Sequence, residues 1–412
     1  MRKVLFISNF PPSKISTGTL LMEQFFRMLP SDSVSCFVIN YASLEKEIKL
    51  SPEFSSIPYF YAIKPSESGS VIKHHALGKL FYRMIYVFSS IQSYLIESNR
   101  YKKAKKRILK EVKKFADIHK PDLIWIILEG QFLIRMALPI SKTLGLPIFT
   151  QIWDPPTWWL RNSNVDDITQ RITLSEYEKL LKKSAKVLTA SPNMAKIYKE
   201  RYGSNTVNFL PSLDVNDAFP PEQKCHSDND EFVIIVTGKI YANNEFNALI
   251  QALCNADWEI SNRKIKLKIL APYIWLEVSS PVQIEFYGWR NQKETLRMAN
   301  ESDLTYCPYW FDPLFMEESR MSFPAKLTTY LASGRPVFFH GPEYASPAIF
   351  LKENNAAIYC HSLDATKIQE ALKQVISDSG LYRTLCVNAR KTFDKYLTTE
   401  SMQKSFLSFL FE

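Results

Sequence analysis

Residues 322–343, "SFPAKLTTYLASGRPVFFHGPE", read as three pieces. A short helix runs from Pro324 to Ala332, Gly334 stops it, and a buried strand follows from Pro336 to Phe339. Glycine supplies the left-handed residue that ends helices, and a compact apolar run after it suits a strand covered on both faces. Helix leading directly into such a strand is half of a βαβ unit. Ser322 and Pro324 stand at the helix mouth, where backbone amides are free and the dipole is positive. Lys326 lies in the first turn, where a cation is unfavourable unless something negative sits nearby. Packing and capping is one reading of this arrangement. The other is that the helix start holds an anion, most simply a diphosphate.

The same pattern repeats in both directions. In the first half, strand-like runs occupy 3–8, 34–39, 122–128, 147–152, 186–191 and 206–211. In the second they occupy 231–238, 265–271, 282–288, 303–309, 336–340 and 356–360. These runs are continuous rather than alternating, the mark of parallel strands with helices on both faces. The pattern breaks once, at "VNDAFPPEQKCHSDND" (215–230), a polar stretch with two prolines and no period. The expectation is an α/β chain of two Rossmann-like, doubly wound domains facing a cleft. They comprise 1–214 and 231–412, joined by a linker at 215–230, with the last helix long enough to return to the first half.

Size and charge agree with that reading. The chain has 412 residues, 46% of them apolar and 23% charged. Lysines and arginines exceed acidic residues by 51 − 42 = 9, which favours an anionic partner. Cys36, Cys225, Cys254, Cys307, Cys360 and Cys386 are widely spaced, without CxxC or Cys/His pairing, so no metal site is expected. Free thiols point to a reducing, cytoplasmic setting. "MRKVLFISNF" reads as a first strand rather than a signal peptide, and no stretch of 18 apolar residues suggests a transmembrane helix.

One region is oversized. Residues 71–118 carry an amphipathic stripe of Leu77, Leu80, Phe81, Met84, Ile85, Phe88, Ile91 and Leu95. "RYKKAKKRILKEVKKF" (100–115) follows, with nine basic residues, one acidic residue, and Tyr101, Ala104, Ile108, Val112 and Phe115 on one face. This is either a solvated basic face or a surface for an anionic membrane, contacted through 71–115. Nucleic acid is not expected, because no helix-turn-helix signature, zinc finger or aromatic-rich binding module accompanies the charge.

In doubly wound sheets ligands bind beyond the carboxyl ends of the strands, so residues just after strands are the candidates. After the first strand, Thr17 and Gly18 open a helix and form either an ordinary cap or a phosphate or acceptor loop. Glu129 ends the strand at 122–128, as a helix cap or a functional acid. Asp154 follows the next strand beside Trp153, Trp158 and Trp159. It is either a turn cap with tryptophans in the core or a carboxylate beside a sugar-stacking wall. In the second half, Gly238 and Lys239, then Gly288 and Trp289, occupy equivalent positions.

These stretches resemble GT-B glycosyltransferases of the family 4 kind. "FPAKLTTYLASGRPV" is similar to that family's "P-x-K-L-x-E-Y-L-A-x-G-x-P-V" segment. "VTGKIYANNEFNALIQAL" and "FYGWRNQKETLRMANESDLTYCPY" resemble its donor-domain blocks, and "FPPSKISTGTLLMEQFF" with "LGLPIFTQIWD" its acceptor domain. The resemblance implies sugar transfer from a UDP- or GDP-sugar, without a metal or other cofactor. The acceptor it implies is a glycan, a lipid-linked molecule or a small metabolite. It puts Lys239 near the diphosphate, Trp289 near the base, Ser322, Pro324 and Lys326 in the nucleotide–sugar segment, and Gly18 in the acceptor-side loop. Two family glutamates fall at Met321 and Thr329, with Glu317, Glu318 or Glu343 as substitutes for the ribose contact, and Asp154 and Glu129 are the candidates for acceptor chemistry. The basic 71–115 region adds an expectation of cell-surface polysaccharide synthesis at the inner membrane face. The missing glutamates leave open a catalytically silent scaffold of the same fold.

Overall fold

The computed structural model describes residues 2–67, 79–163, 165–221, 230–272 and 283–412. Leu77 and Cys225, and part of the expected linker, lie outside these residues, as do the side chains of Leu80, Phe81, Met84 and Ile85. The chain forms two units, each built on one sheet. The first comprises Met1–Ala190, Ala195–Phe209 and Ser405–Glu412; the second comprises Ser191–Met194 and Leu210–Lys404.

The first half runs β1 (Val4–Ser8), α1 (Thr17–Arg27), β2 (Val34–Asn40), β3 (Tyr59–Ile63), α2 (Lys79–His119) and β4 (Leu123–Ile127). It continues α3 (Gly130–Leu144), β5 (Ile148–Ile152), α4 (Pro156–Asn162), α5 (Asp167–Lys183), β6 (Lys186–Thr189), α6 (Pro192–Tyr202) and β7 (Thr206–Asn208). The strands pair in the order β3-β2-β1-β4-β5-β6-β7, every pair parallel. Strands β1, β2, β4 and β5 are buried at every residue, as their unbroken apolar runs predict. β3 was not among the expected strands. It is an edge strand with mixed exposure, so its sequence lacks the signal of its neighbours.

Aromatic rings fill the first core. Trp125 packs on Phe6 at 4.5 Å and on Phe406 at 4.9 Å, and its Nε1 donates to Gln151 Oε1 at 2.9 Å. Phe409 meets Phe149 at 5.5 Å. Phe406 and Phe409 come from the final helix of the chain, whose last residues, Ser405–Glu412, belong to this unit.

Helix α2 buries Tyr101, Ala104, Ile108, Val112 and Phe115, the face its sequence predicts, and Phe115 packs on Phe37 of β2 and Phe60 of β3. A proline inside α3 explains one of its contacts. Pro139 has no N–H, so the carbonyl of Arg135, four residues earlier, loses its helical partner. The Tyr101 hydroxyl donates to that carbonyl instead, at 2.8 Å. The Arg135 guanidinium lies 3.9 Å from the Tyr101 ring and pairs with Glu97 at 2.6 Å. We expect Tyr101→Phe to cost roughly 1–3 kcal/mol, the penalty for an orphaned buried carbonyl. A thermal melt with an unchanged midpoint would contradict this account.

The second half runs β8 (Glu231–Thr237), α7 (Asn243–Asn255), β9 (Glu259–Ile260), β10 (Arg263–Leu270), β11 (Ile284–Phe286), α8 (Gln292–Asn300) and β12 (Leu304–Pro308). Then come α9 (Met316–Met321), α10 (Lys326–Ala332), β13 (Val337–His340), α11 (Ser346–Glu353), β14 (Ala357–Cys360), α12 (Ala365–Ser377), α13 (Ser379–Tyr396) and α14 (Thr399–Phe411). The sheet order is β11-β10-β8-β12-β13-β14, parallel, with the two-residue β9 added antiparallel to β10. Gly334 has φ +70°, and a Cβ there would stand 2.8 Å from the Pro220 carbonyl oxygen. Both the left-handed backbone and the close approach demand glycine.

Candidate functional site

Each sheet has a point where strand order reverses. In the first, the chain leaves β1 toward β2 and later arrives at β4 on the opposite side of β1. In the second, it leaves β8 toward β10 and later arrives at β12 on the opposite side of β8. The loops after the two central strands then diverge and leave a crevice at their carboxyl ends. Polar and aromatic side chains gather at both places.

In the second unit, the loop after β8 carries Gly238, Lys239 and Tyr241, and the segment after β12 carries Tyr309 and Trp310. Trp310 stacks on Tyr241 at 4.7 Å and donates its Nε1 to the Tyr241 carbonyl at 3.1 Å. Trp310 also stacks on Phe315 at 5.2 Å. Lys326 reaches this cluster from α10. Its Nζ lies 3.3 Å from the Lys239 carbonyl oxygen and 5.3 Å from the Tyr241 ring centre. Lys326 is half-buried, and burial pushes its amine down to about 8. Among the described residues no carboxylate pairs with it.

α10 is fixed firmly beneath that lysine. The Tyr330 hydroxyl accepts from the Thr237 amide at 2.9 Å. Thr328 donates to the Pro211 carbonyl at 2.8 Å, and Gln292 donates to Thr329 Oγ1 at 2.9 Å. Thr329 is buried and already bonded.

The helix boundaries correct the sequence reading. α10 starts at Lys326 rather than Pro324, because Pro324 and Ala325 supply the carbonyls of its first turn. Those carbonyls take the amides of Leu327 at 3.0 Å and Thr328 at 3.2 Å, so these two amides are not free for an anion. Ser322 does not open α10; it closes α9, with its amide on the Glu318 carbonyl at 2.8 Å. Lys239 and Glu343 are exposed, and Pro324 is buried. Gly288 has φ +67°, and Trp289 beside it is 74% exposed.

In the first unit the reversal point lies between Asn9, just after β1, and Glu129, at the end of the segment from β4. Asn9 Nδ2 donates to the Glu129 carbonyl at 2.6 Å, and Asn40 Nδ2 donates to the Asn9 carbonyl at 2.8 Å. Lys64, 5% exposed, pairs with Glu67 at 3.0 Å and lies 4.6 Å from the Tyr41 ring. Glu129 occupies the N-cap position of α3, but its carboxylate caps nothing. Glu67 takes that task and accepts from the Phe132 amide at 3.2 Å. Glu129 Oε2 is therefore buried without a hydrogen-bond partner, and so is Oε1 of Gln131, a residue 2% exposed. Burial pushes the Glu129 carboxyl up to about 7, against the pull of the Lys64 charge.

The other first-unit candidates fare differently. Asp154 is exposed after β5, whereas Trp153 is half-buried and packs on Phe209 at 5.4 Å. Trp158 is exposed. Thr17 and Gly18 open α1 behind a capping box, in which Ser16 accepts from the Thr19 amide at 3.3 Å and Thr19 Oγ1 accepts from the Ser16 amide at 2.9 Å. Sequence reasoning missed Lys64, Glu67, Gln131, Tyr241 and Trp310. Each acquires its setting from partners distant in the chain. Position after a strand was the available signal for Tyr241 and Trp310.

Among the described residues no three His, Cys, Asp or Glu side chains group closely enough to hold a metal, and no helix is long and apolar enough to cross a membrane.

The chain has the GT-B fold, two Rossmann-like units each on a parallel sheet, as its sequence led us to expect. It is similar to the sucrose-phosphate synthase of Thermosynechococcus elongatus, with a TM-score of 0.66 and 10% identity over 99% of this chain and 98% of that one. It is also similar to the α,α-trehalose-phosphate synthase (UDP-forming) of Burkholderia vietnamiensis, at 0.65 and 13% over 99% and 96%. Anabaena HepE, solved in complex with UDP and glucose, matches at 0.61 and 13% over 100% and 99%. No protein-family model and no curated protein matches the sequence.

Proposed function

We propose that this chain is a glycosyltransferase that takes a sugar from a UDP-sugar and passes it to an acceptor hydroxyl. The observation that carries this reading is Lys326, a half-buried ammonium at the reversal point of the second sheet that has no carboxylate partner among the described residues. Burying a cation unpaired is costly, and a diphosphate arriving there supplies the missing charge. HepE with UDP and glucose, and a synthase named as UDP-forming, support uridine as the nucleotide. In the transfer, the bond between the sugar's anomeric carbon and the β-phosphate oxygen breaks and a bond to the acceptor oxygen forms. Lys326 and Lys239 stabilise the charge that grows on the departing diphosphate. Gly238, Gly288 and Trp289 belong to the same donor site in this reading, with Trp289 against the base. Ser322, Pro324, Thr329 and Glu343 are its remaining candidates from sequence, of which exposed Glu343 is the one with a carboxylate for the ribose.

The acceptor binds the first unit, near Thr17 and Gly18. Glu129 takes the proton from its hydroxyl, with Asp154 orienting the acceptor. No metal or other cofactor takes part in this scheme. The outward face of α2 supports an acceptor delivered at a membrane. Phe88 is 68% exposed and Leu95 is 61% exposed, and the basic run follows on the same helix. This favours a lipid-linked glycan acceptor in cell-surface polysaccharide synthesis, at the cytoplasmic face.

Calorimetric titration with UDP, UDP-glucose and GDP-mannose tests the donor half. We expect saturable binding of the uridine compounds. No binding to any of them would favour the silent scaffold, to which the absence of a carboxylate at Thr329 otherwise points.

A further inference from the structure

Outside both reversal points, a groove of about 750 Å³ opens where α2, α3 and α5 meet in the first unit. Its lining includes the apolar side chains of Leu109, Leu138, Pro139 and Ile148. Its lining carries three cations from three different helices, Lys105, Lys142 and Lys183. One carboxylate shares the groove, Glu176, and Lys179 already pairs with it at 2.8 Å. Lys142 and Lys183 have no ion-pair partner among the described residues. Lysines beside apolar side chains in one groove match a molecule that is greasy in one part and anionic in another.

We propose that this groove binds a single anionic phospholipid, its phosphate among the three lysines and the first part of its chains against the apolar side chains. The position supports a lipid source for that phosphate. Lys105 and Leu109 lie on α2, the helix whose earlier turns expose Phe88, Ile91 and Leu95 and whose later turns hold the basic run. A bilayer meeting those side chains would bring headgroups to the groove's edge. The proposal thus rests on the membrane half of the reading above and sharpens it, from a diffuse charged face to one built site. A rival explanation is local: Lys142 and Lys183 sit in the last turns of α3 and α5, where cations suit the helix dipole and need no ligand.

The test uses the full chain and dihexanoyl-phosphatidylglycerol below its micelle concentration, followed by calorimetry. We expect saturable binding, weakened at least tenfold in the double variant Lys142→Glu/Lys183→Glu, with the fold retained by circular dichroism and unchanged UDP binding. Glycerol 1-phosphate, the headgroup without chains, should bind at least tenfold more weakly, and dihexanoyl-phosphatidylcholine likewise. Equal affinity for glycerol 1-phosphate would make this a soluble-anion site and overturn the lipid assignment. Failure of the short lipid to bind, or equal binding by the double variant, would leave only lysines on helix ends. Vesicle sedimentation keeps the two ideas apart. If Phe88→Asp/Leu95→Asp sediments with phosphatidylglycerol vesicles as well as the wild type, the α2 face is not the membrane contact. Binding of the short lipid is read independently of that result.

Discussion

Lys326→Ala is expected to weaken UDP binding by about 10- to 150-fold while leaving the thermal midpoint in place. The magnitude follows from the hydrogen bond of a charged group, roughly 1.5–3 kcal/mol. The stability expectation follows from the site itself. In the free protein the ammonium has one carbonyl neighbour, a ring face and, among the described residues, no counter-ion, so little native stabilisation is lost with it. The effect also has a pH signature. Burial lowers the pKa of this amine to about 8, and a bound diphosphate would raise it again. The protonated form is the one that binds, so affinity should fall as pH rises above 8, by up to about tenfold per unit until the bound-state pKa is reached. Lys326→Ala should flatten that slope. Equal loss of fold and binding would make Lys326 structural, and a variant that binds UDP normally would remove it from the donor site.

Glu129→Gln should reduce kcat by roughly 10²- to 10⁴-fold, the usual contribution of a positioned proton acceptor, with donor affinity unchanged. In the wild type, turnover should climb with pH through about 7 as the carboxyl ionises. Stability moves the other way. A carboxyl whose folded-state pKa is raised takes up a proton on folding between its ordinary 4.5 and about 7. Stability therefore declines as pH rises through that interval, by an amount on the order of 3 kcal/mol once both states are ionised. Glutamine keeps the shape and cannot ionise, so the variant should melt higher than the wild type at pH 8 and nearly equal to it at pH 4. A fully active Glu129→Gln enzyme would exclude Glu129 as the base. Equal melting of the two proteins at both pH values would show that the buried oxygen is solvated.

The central strands were legible because being covered on both faces leaves a plain mark, an unbroken apolar run. That mark fades at the rim of a sheet, which is why Tyr59–Ile63 and the two residues Glu259–Ile260 were missed. Strand ends led to Glu129, Asp154 and Lys239, because the argument from parallel sheets depends only on where strands stop. What surrounds those residues was hidden. Whether Glu129 caps a helix depends on Glu67, 62 positions earlier, whose carboxylate does the capping. Trp153 has the same neighbours in sequence whether it lines a crevice or fills a core, and only the folded chain shows it half-buried against Phe209. The first turn of α10 was misjudged because a proline at a helix mouth serves as easily for a carbonyl just outside it as for the first helical residue.

The bond from the Thr237 amide to the Tyr330 phenol has a mechanical meaning. It rivets the tip of β8 to the helix that carries Lys326, so the backbone leading into Gly238 and the lysine cannot drift apart independently. Tension applied at one is felt at the other, and the cationic corner of this unit behaves as a single stiff jaw rather than as two fingers.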